Sequence, residues 1–275
     1  MFLLIPVQTE VVFQRWPIMN FVLIGTCVLS YISFNILNSG DSIFYAMILD
    51  GWSPVGLVGH VFLHADFIHL LGNMIFLWVF GNALNERMGQ VRYLLFFILA
   101  GVVSGMVHTL LDTTSALGAS GAVNGVVGAY LILYPTNRVS LFWILFIKGG
   151  IIQISGYWLI GFWFIQDVIG AIVGNAYIAY WAHIGGIVFG ISAGCILLKR
   201  GSVKLSSFDN PDLLTILKLH SPIEKKIEPR NTELPQEIGF NCPDCGKPQR
   251  IYESQIGGQI HCWSCRTPIF LEEDI

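Results

Sequence analysis

The chain has 275 residues, of which 54% are hydrophobic and only 12% are charged, and its formal net charge is −3. Ordinary soluble domains carry roughly a quarter charged residues. The composition therefore argues against a soluble enzyme and indicates an integral membrane protein. A slightly acidic chain without a basic stripe also argues against nucleic acid as a partner.

Six uncharged stretches predict six transmembrane helices. Each reaches about 18 residues or more, the length that a helix needs to cross a hydrocarbon core of roughly 30 Å. They cover residues 16–40, 67–85, 93–111, 113–137, 149–166 and 168–198. Two shorter apolar stretches, 51–65 and 139–147, are interpreted as interfacial or re-entrant segments. The start MFLLIPV lacks a basic leader and a cleavage site, so we expect the first span to be a permanent anchor.

The basic residues predict the orientation, because Lys and Arg are retained on the cytoplasmic side of short loops. Alternate connections carry Arg15, Arg87 with Arg92, Arg138 with Lys148, and Lys199 with Arg200. The intervening connections carry only acids, namely Asp41, Asp50 and Asp66, then Asp112, then Asp167. We therefore expect both termini in the cytoplasm and the protein in the cell (inner) membrane.

The composition changes after the sixth span, which predicts four segments. Residues 1–15 form a cytoplasmic N-terminal segment, 16–200 a six-helix membrane domain, 201–238 a proline-containing linker, and 239–275 a small soluble module.

The C-terminal module contains two Cys-x-x-Cys turns with 16 residues between the inner cysteines. The four cysteines are Cys242, Cys245, Cys262 and Cys265. This spacing is typical of four thiolates around a tetrahedral structural Zn²⁺, in a zinc-ribbon-like β module. A redox dithiol is the alternative, but no βαβ pattern surrounds the pairs. Such a ribbon is expected to dock a cytoplasmic partner rather than to catalyse a reaction.

Polar residues inside spans are costly and are candidates for function. They are His60, His64, His69 and Asn73 near the start of the second span, Ser120 and Asn124 near the start of the fourth, and His183 early in the sixth. By the predicted topology, all three helix ends lie toward the extracytoplasmic face. These side chains are expected to meet at one depth.

Helical spacing brings the candidates together. His69 and Asn73, four apart, share a helix face. On the sixth span, one helix face carries His183, Gly186, Gly190 and Gly194. The fourth span similarly has small residues on one face, at Gly121, Gly125 and Gly128. Glycine stripes let two membrane helices approach closely. A serine nucleophile needs a nearby base and donors for the oxyanion, and Ser120, His183, His69 and Asn73 fit those roles. A packing serine, interhelical hydrogen bonds or an ion path remain alternatives.

The chain resembles the rhomboid intramembrane serine proteases over most of residues 20–199. The resemblance is carried by HVFLHADFIHLLGN (60–73), Glu86-Arg87, GASG (118–121), GFWFIQ (161–166) and AHIGG (182–186), in the family's order and spacing. It implies an all-α polytopic membrane protein, a six-transmembrane-helix bundle, that hydrolyses peptide bonds in or next to transmembrane segments of membrane proteins.

The resemblance also implies the roles of individual residues. Ser120 is expected to be the nucleophile and His183 the general base of a dyad without a third acidic member. His69, Asn73 and the Ser120 N–H are expected to form the oxyanion hole, with His64 as support. No catalytic cofactor is expected, and the partners are transmembrane substrates and membrane lipid. Trp158 and Trp163 would face either the route of substrate entry or lipid, and residues 172–180 would cap the site.

Two features depart from the family pattern. Asn124 stands where some rhomboids place an aromatic ring that packs on the histidine, and we expect its amide to hydrogen-bond near the site. The zinc-ribbon-like extension lies outside the family core. A non-catalytic rhomboid-like protein that binds membrane clients and a small transporter are the alternatives, although Ser120 and His183 are both present and no internal repeat is seen.

Overall fold

The computed structural model describes residues 2–11, 15–37, 42–145, 148–174, 178–203, 211–219, 237–252, 259–261, 265 and 267–270. The chain divides into two compact units, Met1–Pro222 and Ile223–Ile275. The predicted segment boundaries at residues 15, 200 and 238 stay predictions.

The first unit is mostly helical. Its helices are α1 (Ile18–Tyr31), α2 (Ser42–Met47), α3 (Pro54–Gly59), α4 (Phe67–Phe76), α5 (Asn82–Met88), α6 (Gln90–Leu111), α7 (Ser120–Leu133), α8 (Gly156–Val173), α9 (Tyr180–Lys199) and α10 (Leu213–Ile216). A π-helical segment, Ile32–Ile36, extends α1, and another, Leu77–Gly81, joins α4 to α5; a 3₁₀ turn covers His60–Phe62. The prediction that this part of the chain is mostly helical is confirmed.

Five helical segments of the described chain are long and apolar enough to cross a membrane: Ile18–Ile36, Phe67–Met88, Gln90–Leu111, Gly156–Val173 and Tyr180–Lys199. The predicted fourth span, 113–137, was too long, because its helix α7 has only 14 residues. Most of α7 is buried among other helices. A helix enclosed by protein does not need to match the thickness of the lipid.

The predicted fifth and sixth spans were also misplaced. Residues 149–155 lie in a β-strand, and the fifth helix begins only at Gly156. Asp167, which the charge pattern places in a connection, lies inside α8. The error arose because a charged residue was taken to end a span, whereas here a side-chain partner from the next helix accommodates the charge.

A three-stranded antiparallel sheet lies beside the helices. Strands β2 (Arg138–Leu145) and β3 (Lys148–Ser155) form a hairpin, and β1 (Phe2–Thr9) pairs with the other edge of β2. This sheet was not predicted from the sequence, and residues 139–147 were interpreted as an interfacial or re-entrant segment. The strands are rich in aliphatic residues on both faces, so the period-two pattern of a half-buried strand is hidden.

A buried polar cluster fixes the first span against the second. Asn20 Nδ2 donates to Asn82 Oδ1 at 2.7 Å and to Leu77 O at 2.8 Å, and Tyr93 Oη donates to Asn20 Oδ1 at 2.6 Å. A π-helical segment frees backbone carbonyls from the regular ladder, and Leu77 is the first residue of one. Gly81 makes room for Asn20, since a Cβ there would collide with its amide. The cluster thus joins α1 to the π-helical segment, α5 and α6.

Glu86 and Arg87, at the end of the second span, contact two other parts of the chain. The Arg15 N–H donates to Glu86 Oε2 at 2.9 Å, while Arg87 Nε donates to Tyr134 Oη at 2.5 Å and the guanidinium lies over that ring. These contacts connect the loop before α1 and the end of α7 to α5. Their position agrees with a structural role.

The second unit contains two short hairpins. Strands β4 (Glu237–Asn241) and β5 (Pro248–Tyr252) pair antiparallel, as do β6 (Gln259–His261) and β7 (Pro268–Phe270). Each hairpin connection contains one of the two Cys-x-x-Cys pairs.

Candidate active site

Helices α7 and α9 touch backbone to backbone through their glycines. A Cβ on Gly186 would collide with Gly121 O, and a Cβ on Gly190 would collide with Gly125 O. A Cβ on Gly121 would lie 3.4 Å from Ala182 O. The residue after Ser120 therefore faces the residue before His183, and the approach predicted from the glycine stripes is present.

Ser120 lies in the first turn of α7. The first backbone bond of this helix runs from the Val123 N–H to Ala119 O at 2.8 Å. The N–H groups of Ser120, Gly121 and Ala122 precede it, and such groups have no acceptor within their own helix. The start of α7 thus offers backbone donors beside the serine hydroxyl, which suits a site where negative charge develops.

His183, in the first turn of α9, contacts side chains from two elements. Its Nδ1 lies 3.0 Å from Asp167 Oδ1 on α8. The Tyr180 ring, one turn earlier on α9, meets the imidazole edge-on with ring centroids 6.2 Å apart. Among the described residues Ser120 Oγ makes no hydrogen bond to a side chain, so the serine is not hydrogen-bonded to His183. Catalytic hydrogen bonds are often long before substrate binds.

His69 packs directly against the turn that precedes Ser120. A Cβ on Gly118 would lie 2.5 Å from His69 Cε1 and 2.6 Å from His69 Nε2. The Asp66 carboxylate caps α4 by accepting the His69 N–H at 2.9 Å, which fixes the helix start. Buried Asn73, one turn further, donates one amide hydrogen to His69 O at 3.0 Å. Within the described part of the chain, His69 O is the acceptor for the Asn73 amide.

His64 is fully buried behind the same turn. Its Nε2 lies 3.5 Å from the Ala119 N–H, and its ring meets that of His69 edge-on at 5.2 Å. Burial, and after it the neighbouring His69 imidazole, lowers the pKa of His64 to about 4. The ring is therefore neutral at neutral pH, so that Nε2 can accept from the Ala119 N–H.

Asn124 lies one turn after Ser120. Its Nδ2 donates to Ser120 O at 3.0 Å, so the expected hydrogen bond near the site is present. Asn124 also lines a cavity of about 160 Å³ together with Phe76, Val123, Val127, Trp163, Gln166 and Asp167. The imidazole of His183 finds its aromatic neighbour in Tyr180 instead of at position 124.

The two tryptophans of α8 differ in environment. Trp158 is 67% exposed, whereas Trp163 packs on Phe76 and Phe80 with ring centroids 4.8 and 6.1 Å apart. Trp163 thus lies between α8 and the second span at the edge of the cavity. The cap expected at 172–180 lies partly outside the described residues, because 175–177 are not described.

The residues to which the sequence assigned roles in the membrane site, His64, His69, Asn73, Ser120, Asn124 and His183, lie around the start of α7. His60, also a candidate, is buried with its Nδ1 2.9 Å from Gly56 O, and its carbonyl accepts the Gly118 N–H at 2.9 Å. Asp167 and Tyr180 were not identified from the sequence. An acidic residue in an apolar helix is itself a signal of function, and this signal would have been visible if the fifth span had been started at Gly156.

Comparison with known proteins decides the family. The Rhomboid domain model matches residues 51–200, more than half of the chain. The chain belongs to the rhomboid family. With its five long apolar helices, this rhomboid chain is an integral membrane protein.

Curated relatives include proteases. The "Rhomboid protease GlpG" of Yersinia pseudotuberculosis serotype I (strain IP32953) is 30% identical over 138 residues, which are 49% of this rhomboid chain and 45% of the relative. The "RHOMBOID-like protein 6, mitochondrial" of Arabidopsis thaliana is 32% identical over 155 residues, which are 56% of this chain and 47% of the relative. The matched region thus spans about half the length of these relatives.

Three described cysteines of the second unit form a cluster. The Sγ atoms of Cys242, Cys245 and Cys265 lie within 4.8 Å of one another, and Cys242 Sγ is 3.7 Å from Cys265 Sγ. This separation is too long for a disulfide. The fourth predicted ligand, Cys262, lies outside the described residues. Three converging thiols are a donor set that suits a Zn²⁺ ion.

Proposed function

We propose that the chain is a serine-type intramembrane endopeptidase that cleaves peptide bonds in or next to transmembrane segments of membrane proteins. The observation that supports the proposal is the glycine contact between α7 and α9, since Ser120 and His183 lie next to the residues in contact, together with the packing of His69 on Gly118. Membership of the rhomboid family and similarity to relatives with protease names support it.

The reaction would proceed by acyl transfer. Ser120 Oγ attacks the scissile carbonyl carbon while His183 Nε2 accepts the hydroxyl proton. The Ser120 N–H, His69 and the side-chain amide of Asn73 hold the oxyanion. When the C–N bond breaks, His183 returns the proton to the leaving amine. Water, activated by the same imidazole, then hydrolyses the acyl ester and restores Ser120.

The substrate class follows from backbone chemistry. A transmembrane helix hides its carbonyls in internal hydrogen bonds, so a cleavable segment must unwind locally. Glycine or proline near the scissile bond lowers the cost of unwinding, and the family resemblance favours a small residue at the cleaved position. The protein is also expected to contact the surrounding membrane lipid.

The proposal also covers the membrane in which the protein lies and the role of the second unit. The basic connections favour cytoplasmic termini in an inner membrane. The C-terminal unit would hold a structural Zn²⁺ through Cys242, Cys245, Cys262 and Cys265 and would dock a cytoplasmic partner. The chemistry of cleavage requires no metal.

The test is cleavage of a single-span substrate with a glycine-containing segment, reconstituted in liposomes with the purified full chain. The unmodified protein is expected to release product, whereas Ser120→Ala and His183→Ala are expected to release none. Ser192→Ala is a matched control, because Ser192 is exposed and bonds only to Val188 O of its own helix among the described residues. Equal cleavage by the Ser120→Ala variant would contradict the proposal. Binding without cleavage by the unmodified chain would favour a client-binding protein.

A further inference from the structure

Asp167 is an acid within a membrane helix. It lies two turns before the end of α8, and its side chain is 18% exposed. Its carboxylate Oδ1 lies 3.0 Å from His183 Nδ1, and that imidazole is only 15% exposed. A carboxylate in a membrane span is costly and is retained where it has a partner and a task.

The facing surfaces of α8 and α9 are shaped around this pair. Gly170 lies three residues after Asp167 and so shares its helix face. A Cβ at Gly170 would collide with the ring of Tyr180, which in turn meets the His183 imidazole edge-on. The missing side chain at 170 therefore lets α8 approach closely enough for the carboxylate to reach the imidazole. The ring of His183 therefore contacts both Asp167 and Tyr180.

The bond determines which nitrogen of His183 can act as a base. A neutral imidazole has one N–H and one lone pair, and a carboxylate at Nδ1 selects the tautomer with the proton there. The lone pair is then at Nε2, on the opposite edge of the ring. Proton transfer from the serine creates an imidazolium, which the adjacent carboxylate stabilises.

We propose that Asp167 is a positioning residue that holds His183 in the tautomer and orientation needed for proton transfer from Ser120, so that the site works as a triad. The inference rests on the proposed function. Asp167 acts through the imidazole and touches neither substrate nor oxyanion. It supplies the third, acidic member that the family resemblance leaves out.

The groups that face His183 in the described chain come from three helices. Asp167 lies on α8 and Tyr180 on its own helix α9, and His69 of α4 is close enough to His183 to interact with it electrostatically. Of these three side chains, only Asp167 is an acid. Stabilisation of the imidazolium should therefore depend on this carboxylate.

The test compares cleavage kinetics in liposomes for the unmodified chain and for Asp167→Asn, Asp167→Glu and Ser120→Ala. Asp50→Asn is the matched control, because Asp50 is an exposed acid in a loop. Asp167→Asn keeps the size and removes the charge, so we expect kcat to fall about tenfold or more. We expect KM to stay within about twofold of the value for the unmodified chain, since the substrate contacts are intact. We expect the thermal midpoint to be unchanged, because asparagine has the same size as aspartate. Asp167→Glu should recover part of kcat, and Asp50→Asn should match the unmodified chain.

Two results would contradict the inference about Asp167 while leaving the proposed protease function intact. One is an Asp167→Asn variant whose kcat equals that of the unmodified chain while Ser120→Ala is inactive. The other is a loss of activity that comes with a lower thermal midpoint and a raised KM, because a contact that only joins two helices would produce it. An inactive unmodified chain, or an active Ser120→Ala variant, would instead contradict the proposed protease function and the inference with it.

Discussion

At the residue scale, Gly118 determines how the turn before Ser120, the proposed nucleophile, packs against the second span. Its φ of +125° is a conformation that residues with a Cβ rarely adopt. The same position leaves no room for a Cβ, because the His69 ring lies against its Cα. A substitution at this glycine would push His69 away from the Ser120 N–H, and these are two of the three proposed oxyanion donors.

Gly118→Ala should therefore lower the rate of cleavage by about tenfold or more, in line with the loss of an oxyanion donor. The matched control is Gly51→Ala, where φ is also positive, at +57°, but no atom lies within 4 Å of the added Cβ. Cleavage in liposomes measures both. A Gly118→Ala variant as active as Gly51→Ala would show that the contact with His69 is unimportant for the reaction.

The polar residues of the site were predictable because hydroxyl, amide and imidazole groups stand out in apolar helices. Asp167 was not predicted as a site residue, although its side chain is an acid, because each charged residue was taken to end a transmembrane span. Tyr180 was also missed, since an aromatic residue near a helix start is typical of the membrane interface. Partners on other helices cannot be assigned from one sequence without the register between those helices.

At the scale of elements, the pair α7 and α9 is the centre of the bundle. Its glycines replace side-chain packing by direct backbone contact, which brings Ser120 and His183 together while the rest of α7 stays buried. The stripes predicted this contact correctly. The length of α7 was not predictable from hydropathy, because burial in protein and burial in lipid select the same apolar residues.

Gly190→Ala should destabilise the membrane unit by about 1 to 3 kcal/mol, since the added methyl group has no space beside Gly125 O. Gly25→Ala on α1 is the matched control, because nothing lies within 4 Å of its added Cβ. We expect a lower thermal midpoint in detergent and reduced cleavage for Gly190→Ala only. Equal midpoints for the two variants would contradict the close contact of the helices.

At the scale of the whole molecule, a rhomboid membrane unit is joined to a small β unit with its own cysteine cluster. The sequence predicted both parts, one from hydropathy and one from cysteine spacing. The sheet formed by β1, β2 and β3 was not foreseen, because its first strand comes from the chain start and its partners from a distant hairpin. Pairing between such distant segments is not encoded in local periodicity.

The cysteine cluster predicts about one Zn²⁺ per purified chain, held by four thiolates. Cys242→Ser should remove most of this zinc, because Cys242 Sγ lies close to Cys265 Sγ within the cluster. Cys195→Ser is the matched control, as Cys195 lies in α9. Elemental analysis of the metal content measures the result. A chain without zinc, or a Cys242→Ser variant that keeps it, would contradict a thiolate site.

The proposed activation of Ser120 by His183 is tested directly by covalent modification with a serine-directed phosphonate. The modified residue is located by mass spectrometry of the full chain in detergent. We expect an adduct on Ser120 that is lost in His183→Ala. We expect none on Ser104, whose hydroxyl lies beside Gly121 but donates to Gly101 O of its own helix. An adduct on another serine, or labelling of Ser120 at the same rate without His183, would contradict activation of Ser120 by His183.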